Sequence, residues 1–381
     1  MKIIRPITLT EAMLTASNVP NVDDIGTSAT ALLIEVASKT FVTQAGLGFV
    51  AGEWVKAYST ATPANYMYGK VTSYSGTSLV VNMTVNGGAG TPADWKISYG
   101  WNVGAAYLAG DQVQISTGVQ KIYEALVNVT GGSSPEVDVL AAVPKWLEVS
   151  ATNRWKAFDQ KVGSQTSQAT SITYTITPGE VADAIAFLNL DAVTVRVVST
   201  DPIEGVVYDE TIDLLSTVIT GISSVYDWYT YFFSAIFKRV DIVLLDLPPY
   251  LNTVLDITVI YTGGTAKVGG IVIGVQTNLG ETQYSPSIGI HDYSIKEADA
   301  FGVLTVTQRA FSKKMSCDVL VESASIADVQ NLLASYRSTL LVWIGSEDYP
   351  SLIIYGFFKD FNIVIGYPTF AICNIEVEGL T

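Results

Sequence analysis

From Lys39 onward the chain is a succession of short runs in which β-branched and aromatic residues alternate with polar ones, each run closed by glycine, proline, asparagine or aspartate. Alternation with a period of two lines one face of an extended strand, whereas a helix needs apolar residues three and four positions apart. Between Glu35 and Ser98 the runs KTFVTQ, EWVKAYS, YMYGKVTSYSG, SLVVNMTV and DWKIS follow the first pattern. The expected fold class is therefore mainly β and multi-domain: small β modules plus a jelly-roll-like β-sandwich and an α+β C-terminal region with one helix.

A chain of 381 residues has room for two or three cores. Residues 1–34 read as an N-terminal arm with a candidate helix over Thr8–Leu14, and residues 35–100 as a small β domain. Residues 101–151 form a short segment rich in aromatic residues, too small to be stable without neighbours. The runs SITYTITPG, AIAFLNL, AVTVRVVST, GVVYDETIDL, YTYFFSAI, RVDIVLLDLP, VLDITVIYT and KVGGIVIGV make 152–285 the sandwich. The segment VADAIAFL is read as a strand, although its start also fits a helical turn. In the remaining region, 286–381, Ile326, Val329, Leu332, Leu333 and Tyr336 share one face at helical spacing. They predict a helix over Ile326–Ser338 with Ser325 as its N-cap.

Lys and Arg number 21 against 36 Asp and Glu, a net charge of −15. That sign excludes an electrostatic nucleic-acid binder. MKIIRPITLT lacks the apolar run of a secretory signal. The apolar stretch Val240 to Leu251 is broken by Asp241, Asp246 and two prolines, so no membrane insertion is expected. Cys317 and Cys373 have no metal-binding or redox spacing and read as buried thiols. His291 is the sole histidine. Its context GIHDYS puts Asp292 and Ser294 beside it, but neighbours on a strand point to opposite faces and do not make a triad. Asp227 beside Trp228, and Glu347 with Asp348, are acids that could serve in a glycosidase carboxylate pair, but they read first as solvated turn acids. The glycines of GGTAKVGGIVIG lead into β-branched residues and not a helix, so they read as hairpin and bulge glycines rather than a phosphate loop. No catalytic residue, metal site or cofactor is expected.

The aromatic residues Trp101, Tyr107, Tyr123 and Trp146 admit two uses. Rings on a shallow face stack on the C–H faces of sugars, and the same rings fill β cores.

The order W…Y..GD.V…Y.A…W, carried by Trp101, Tyr107, Gly110, Asp111, Val113, Tyr123, Ala125 and Trp146, resembles the small chitin-binding modules of secreted chitinases and many phage tail proteins. The resemblance implies a tight Gly-Asp turn and rings that form both a tiny core and a sugar face. The loop GGSSPEVDVLAAV before Trp146 is longer than in that family. More widely, IIRPITLTEAML..SNVP, TNRWKAFDQKVGSQT, IGIHDYSIKEADAFGVLTVTQRAFSK and YGFFKDFNIVIGYPTFAICNIEVEGLT are similar to tail proteins of bacteriophages and prophages. This implies a virion component of the tail tip or baseplate region, made in the host cytoplasm. Its partners would be other phage tail proteins, a host cell-surface glycan and further copies of itself in a homo-oligomer, with no nucleic acid. The chain shows no internal repeat, which favours a globular tail-tip piece over a fibre. The N-terminal arm and the DYS…FG region are expected to contact other subunits, with residues 1–20 dispensable for folding. A tail-associated glycan-degrading enzyme and a non-phage carbohydrate-binding protein are the alternatives.

Overall fold

The computed structural model describes residues 1–20, 26–115, 119–216, 237–298, 304–347 and 349–380. The run YTYFFSAI, Asp227, Trp228 and Asp348 lie outside the described residues. The chain is mainly β and forms two compact units, Val19–Lys156 and Met1–Asn18 together with Ala157–Thr381.

The first of these is built on a six-stranded antiparallel sheet. Its spatial order is Gly26–Ser28, Trp95–Tyr99, Trp54–Ser59, Tyr66–Ser75, Ser78–Gly87, Ser38–Val42. The alternating runs of the sequence therefore form strands where alternation places them. Gly76, at φ +61°, makes the reversal between Ser75 and Ser78, a turn that favours residue types free of a Cβ. The Trp54–Ser59 strand and residues 66–71 of its neighbour carry buried side chains on both faces. Val55 and Met67 enter one core with Phe41, Val81 and Ile97, while Trp54 and Tyr68 enter a second with Tyr107, Tyr123 and Trp146. A three-stranded sheet of Gln112–Ile115, Lys121–Ala125 and Trp146–Ala151 supplies the far side of that second core. Residues 35–100 and 101–151 thus share a core and fold as one unit.

In the other unit the Lys2–Pro6 strand lies between Val254–Asn278 and Leu341–Ile344, antiparallel to both. Ile3 pairs with Thr277 and Trp343, and Ile4 with Gln276 and Val342. Both isoleucines are fully buried, on opposite faces. Ile3 packs with Met315, Cys317, Leu333 and Trp343, and Ile4 with Ala184, Leu188, Val272 and Tyr355. The segment expected as an arm is therefore an interior strand, and pairing runs through it across the expected division at residue 285. From Leu341–Ile344 the sheet continues through Ile353–Val364 and Phe370–Gly379 to Phe311–Glu322.

The expected helix over Thr8–Leu14 is instead a turn, with the Met13 N–H bonded to Thr10 O at 3.1 Å, followed by the strand Leu14–Ser17. Strand pairing on either side of this short linker leaves no span for a helix, whose nucleation is unfavourable. The helix expected over Ile326–Ser338 is present as Ile326–Ser335, with Val329 and Leu333 buried. Ser325 sits at the N-cap position but its side chain makes no capping bond, because a 3-10 turn, Ser323–Ser325, leads directly into the helix. VADAIAFL yields the strand Ala184–Asp191.

The two runs VLDITVIYT and KVGGIVIGV are one bent strand, Val254–Asn278. Its pairing with Thr166–Ile176 slips between Ala169 and Ser171, with Thr170 at φ +64° and Gly263 at φ +79°. At Gly274 a Cβ would lie 2.0 Å from Arg5 O. Glycine there lets the Lys2–Pro6 strand approach.

Because Ile4 is buried between two bonded neighbours, Ile4→Ala is expected to lower unfolding free energy by about 2–5 kcal/mol, read from the denaturation midpoint of the full chain. Deletion of residues 1–6 is expected to abolish the cooperative transition of this unit. An unchanged midpoint in the alanine variant would contradict the interior placement.

Candidate functional site

The four candidate sugar-stacking residues are brought together in the second core of the Val19–Lys156 unit. Tyr107, Tyr123 and Trp146 are buried, at 2%, 3% and 1% exposure, and Trp101 is half-buried against the same cluster. Tyr107 meets Trp54 edge-on at 4.8 Å and Trp146 at 5.2 Å between ring centroids. Trp54 stacks on Tyr68 at 5.3 Å. The rings of Tyr107, Tyr123 and Trp146 are enclosed and contribute packing, while Trp101 keeps part of its surface exposed at the edge of the cluster. Trp54 and Tyr68 were missing from the sequence reading of this cluster. The available signal was that EWVKAYS and YMYGKV carry large side chains at both odd and even positions, which a strand with one solvent face does not.

Polar groups inside the cluster are matched. The Tyr68 and Tyr107 hydroxyls lie 2.9 Å apart; Tyr68 donates to Gly100 O at 2.7 Å, and Tyr107 accepts from the Asn102 N–H at 2.8 Å. Gly110, at φ +88°, and Asp111 form a tight turn in which the Asp111 carboxylate accepts from Leu108 N–H at 3.1 Å and Trp54 Nε1–H at 3.3 Å. Asp111 also pairs with Lys70. One carboxylate therefore ties this turn to the six-stranded sheet.

The remaining chemistry-bearing residues are in the other unit. His291 is exposed, with its ring 4.6 Å from that of Tyr293. Asp292 is engaged elsewhere, accepting from Ser294 N–H at 2.9 Å and pairing with Lys296 at 3.0 Å. The Ser294 contacts, with Lys296, hold its carboxyl well below the usual range. Cys317 and Cys373 are buried free thiols, both pushed up by desolvation. Among the described residues no cluster of His, Cys, Asp and Glu has the makings of a metal site. No described helix is long and apolar enough to cross a membrane.

Two surface features stand out. The Ser287–Asp292 strand pairs only with Phe311–Glu322 among the described residues, and its Ile288 and Ile290 are 57% and 58% exposed on one face. Among the described residues the strands Ile295–Ala298 and Leu304–Thr307 pair only with each other, and Leu304, Val306 and Phe311 are also more than half exposed. The second feature is an open groove of about 800 Å³ whose lining includes Lys2, Glu281, Gln283, Tyr284, Glu347 and Tyr349.

Burial pushes the Tyr68 hydroxyl well above its ordinary value and Tyr107 up to about 12. An unfolded tyrosine ionises near pH 10. The unfolded chain therefore releases these protons first, and stability falls as pH rises above about 10. The thermal midpoint of the Val19–Lys156 unit is expected to drop between about pH 10 and 12. Tyr107→Phe should make that drop shallower while costing about 1–3 kcal/mol at neutral pH. An identical pH profile in the variant would contradict the assignment.

No family model matches the chain. No curated protein matches it. Among solved structures, a GH78 family rhamnosidase of Bacillus sp. GL1 aligns with a TM-score of 0.21 and 11% identity, covering 76% of this chain. The chain spans 36% of that protein's length. A likeness at this TM-score carries no argument about fold or function.

Proposed function

We propose that the chain is a non-catalytic structural component of a bacteriophage tail, in the tail-tip or baseplate region, that assembles with copies of itself and with other tail proteins and binds a host-surface saccharide. The virion setting rests on the sequence phrases similar to tail proteins. The assembly role is carried by one observation, the uncovered apolar ribbon of residues 287–298 and 304–311. A two-stranded hairpin alone is marginal in water. Ile288, Ile290, Leu304 and Val306 are left open by the described residues, and a second chain laid over them would gain about 25 cal/mol per Å² of apolar surface covered. The outer edge of Ser287–Asp292 also offers unpaired backbone groups, the geometry that strand addition uses. Because each copy would present the same ribbon, a second copy supplies a matching strand and closes the contact by symmetry.

A glycan-degrading enzyme is the second reading, favoured by Glu281 and Glu347 lining one groove. Against it, Glu347 pairs with Lys2 at 2.8 Å, so its carboxylate is already engaged. Shorter products from an oligosaccharide incubated with the full chain would establish it.

Sedimentation of the full chain at micromolar concentration is expected to show an oligomer. Ile288→Asp combined with Val306→Asp should return it to monomer with its circular dichroism unchanged. A wild-type chain that stays monomeric would contradict the assembly role.

A further inference from the structure

Resting on the saccharide-binding part of the proposed function, we infer that the groove between residues 278–288 and residues 345–347 and 349–352 is the sugar site, and that its ligand is a short neutral oligosaccharide. Tyr284 is fully exposed and Tyr349 is 62% exposed, and both line this groove from segments far apart in sequence. A tyrosine ring left in water forgoes the burial that the rings of the other unit obtain, while its face remains open for stacking on the C–H face of a pyranose. The loop that presents Tyr284 is constrained. Ser285 has φ +76°, a left-handed conformation that non-glycine residues rarely adopt, and Pro286 follows it. Strained backbone of this kind clusters at ligand-contacting loops, where the surrounding structure enforces it.

The groove is also held open by its own bonds. The Thr282 hydroxyl donates to Gly345 O at 2.7 Å, which ties one wall to the other, and the Lys2–Glu347 pair spans the same region. A preformed groove spares the ligand the cost of ordering it. Polar capacity remains for a ligand: the half-buried Gln283 side chain makes no hydrogen bond among the described residues, and its amide both donates and accepts. Sugar hydroxyls require that dual character. The charges of the described lining balance, the Met1 ammonium and Lys2 against Glu281 and Glu347, which suits a neutral ligand. The volume of about 800 Å³ suits a few pyranose rings. Affinity per site is expected to be weak, since the groove is open, with avidity supplied by several copies in an assembly.

The test is calorimetric titration of the full-length chain with three neutral probes, chitotriose, cellotriose and maltotriose, repeated on Tyr284→Ala, Tyr349→Ala and the double variant. Both side chains are exposed, and unchanged thermal midpoints would show that the variants fold. At least one probe is expected to bind wild type saturably, and each single substitution to weaken that binding about tenfold. Binding that persists undiminished in the double variant would overturn the groove assignment and leave saccharide recognition standing. No binding of any probe to wild type would overturn the saccharide reading and the groove with it.

Discussion

The Lys2–Pro6 strand is paired on both edges over Lys2–Ile4 and, at Ile3 and Ile4, buried on both faces. Its hydrogen bonds join Val254–Asn278 to Leu341–Ile344, strands separated by more of the chain than any turn bridges. Its side chains join two cores, Ile3 on one face and Ile4 on the other. A strand in that position must be apolar at consecutive positions, and the sequence there reads Ile3-Ile4. Gly274 is required opposite it because any side chain would strike Arg5 O. The dependence runs outward from this pairing, since Ile353–Val364, Phe370–Gly379 and Phe311–Glu322 are added in turn beyond Leu341–Ile344.

The same device recurs in the Val19–Lys156 unit. Trp54 beside Val55, and Tyr68 beside Met67, send successive side chains into different cores. This explains how residues 101–151, with too few residues for an independent core, become stable: they cover the Trp54 and Tyr68 face of a sheet that is already packed on its other side. The matched hydroxyls of Tyr68 and Tyr107 and the bonds of Asp111 satisfy the polar groups that this covering buries.

What was legible in the sequence followed from local periodicity. Alternation located the strands between Ser38 and Tyr99, and helical spacing located Ile326–Ser335. What was not legible depends on partners distant in the chain. An arm and an interior strand differ only in what lies beside them, and IIRP does not name Gln276 or Trp343. The aromatic residues show the same limit. Trp101, Tyr107, Tyr123 and Trp146 were equally compatible with a sugar face and a core, because both uses ask for large rings. Their enclosure follows from Trp54 and Tyr68, which belong to strands outside the 101–151 segment. The display of Tyr284 and Tyr349 in one groove likewise has no local signal beyond an unremarkable YSPS and DYP.

At the far end of the chain of pairings lies the ribbon of residues 287–298 and 304–311, whose apolar side chains Ile288, Ile290, Leu304 and Val306 the described residues leave uncovered. The Lys2–Pro6 strand secures the unit from within, and in the proposed assembly another subunit covers the ribbon from outside. Hydrogen exchange measured by mass spectrometry on the dilute chain and on its assembled form tests both halves. Residues 2–6 and 341–344 are expected to exchange slowest in both states, while residues 287–298 and 304–311 exchange quickly when dilute and at least about tenfold more slowly on assembly. Equal, rapid exchange of the ribbon in the assembled form would contradict the account.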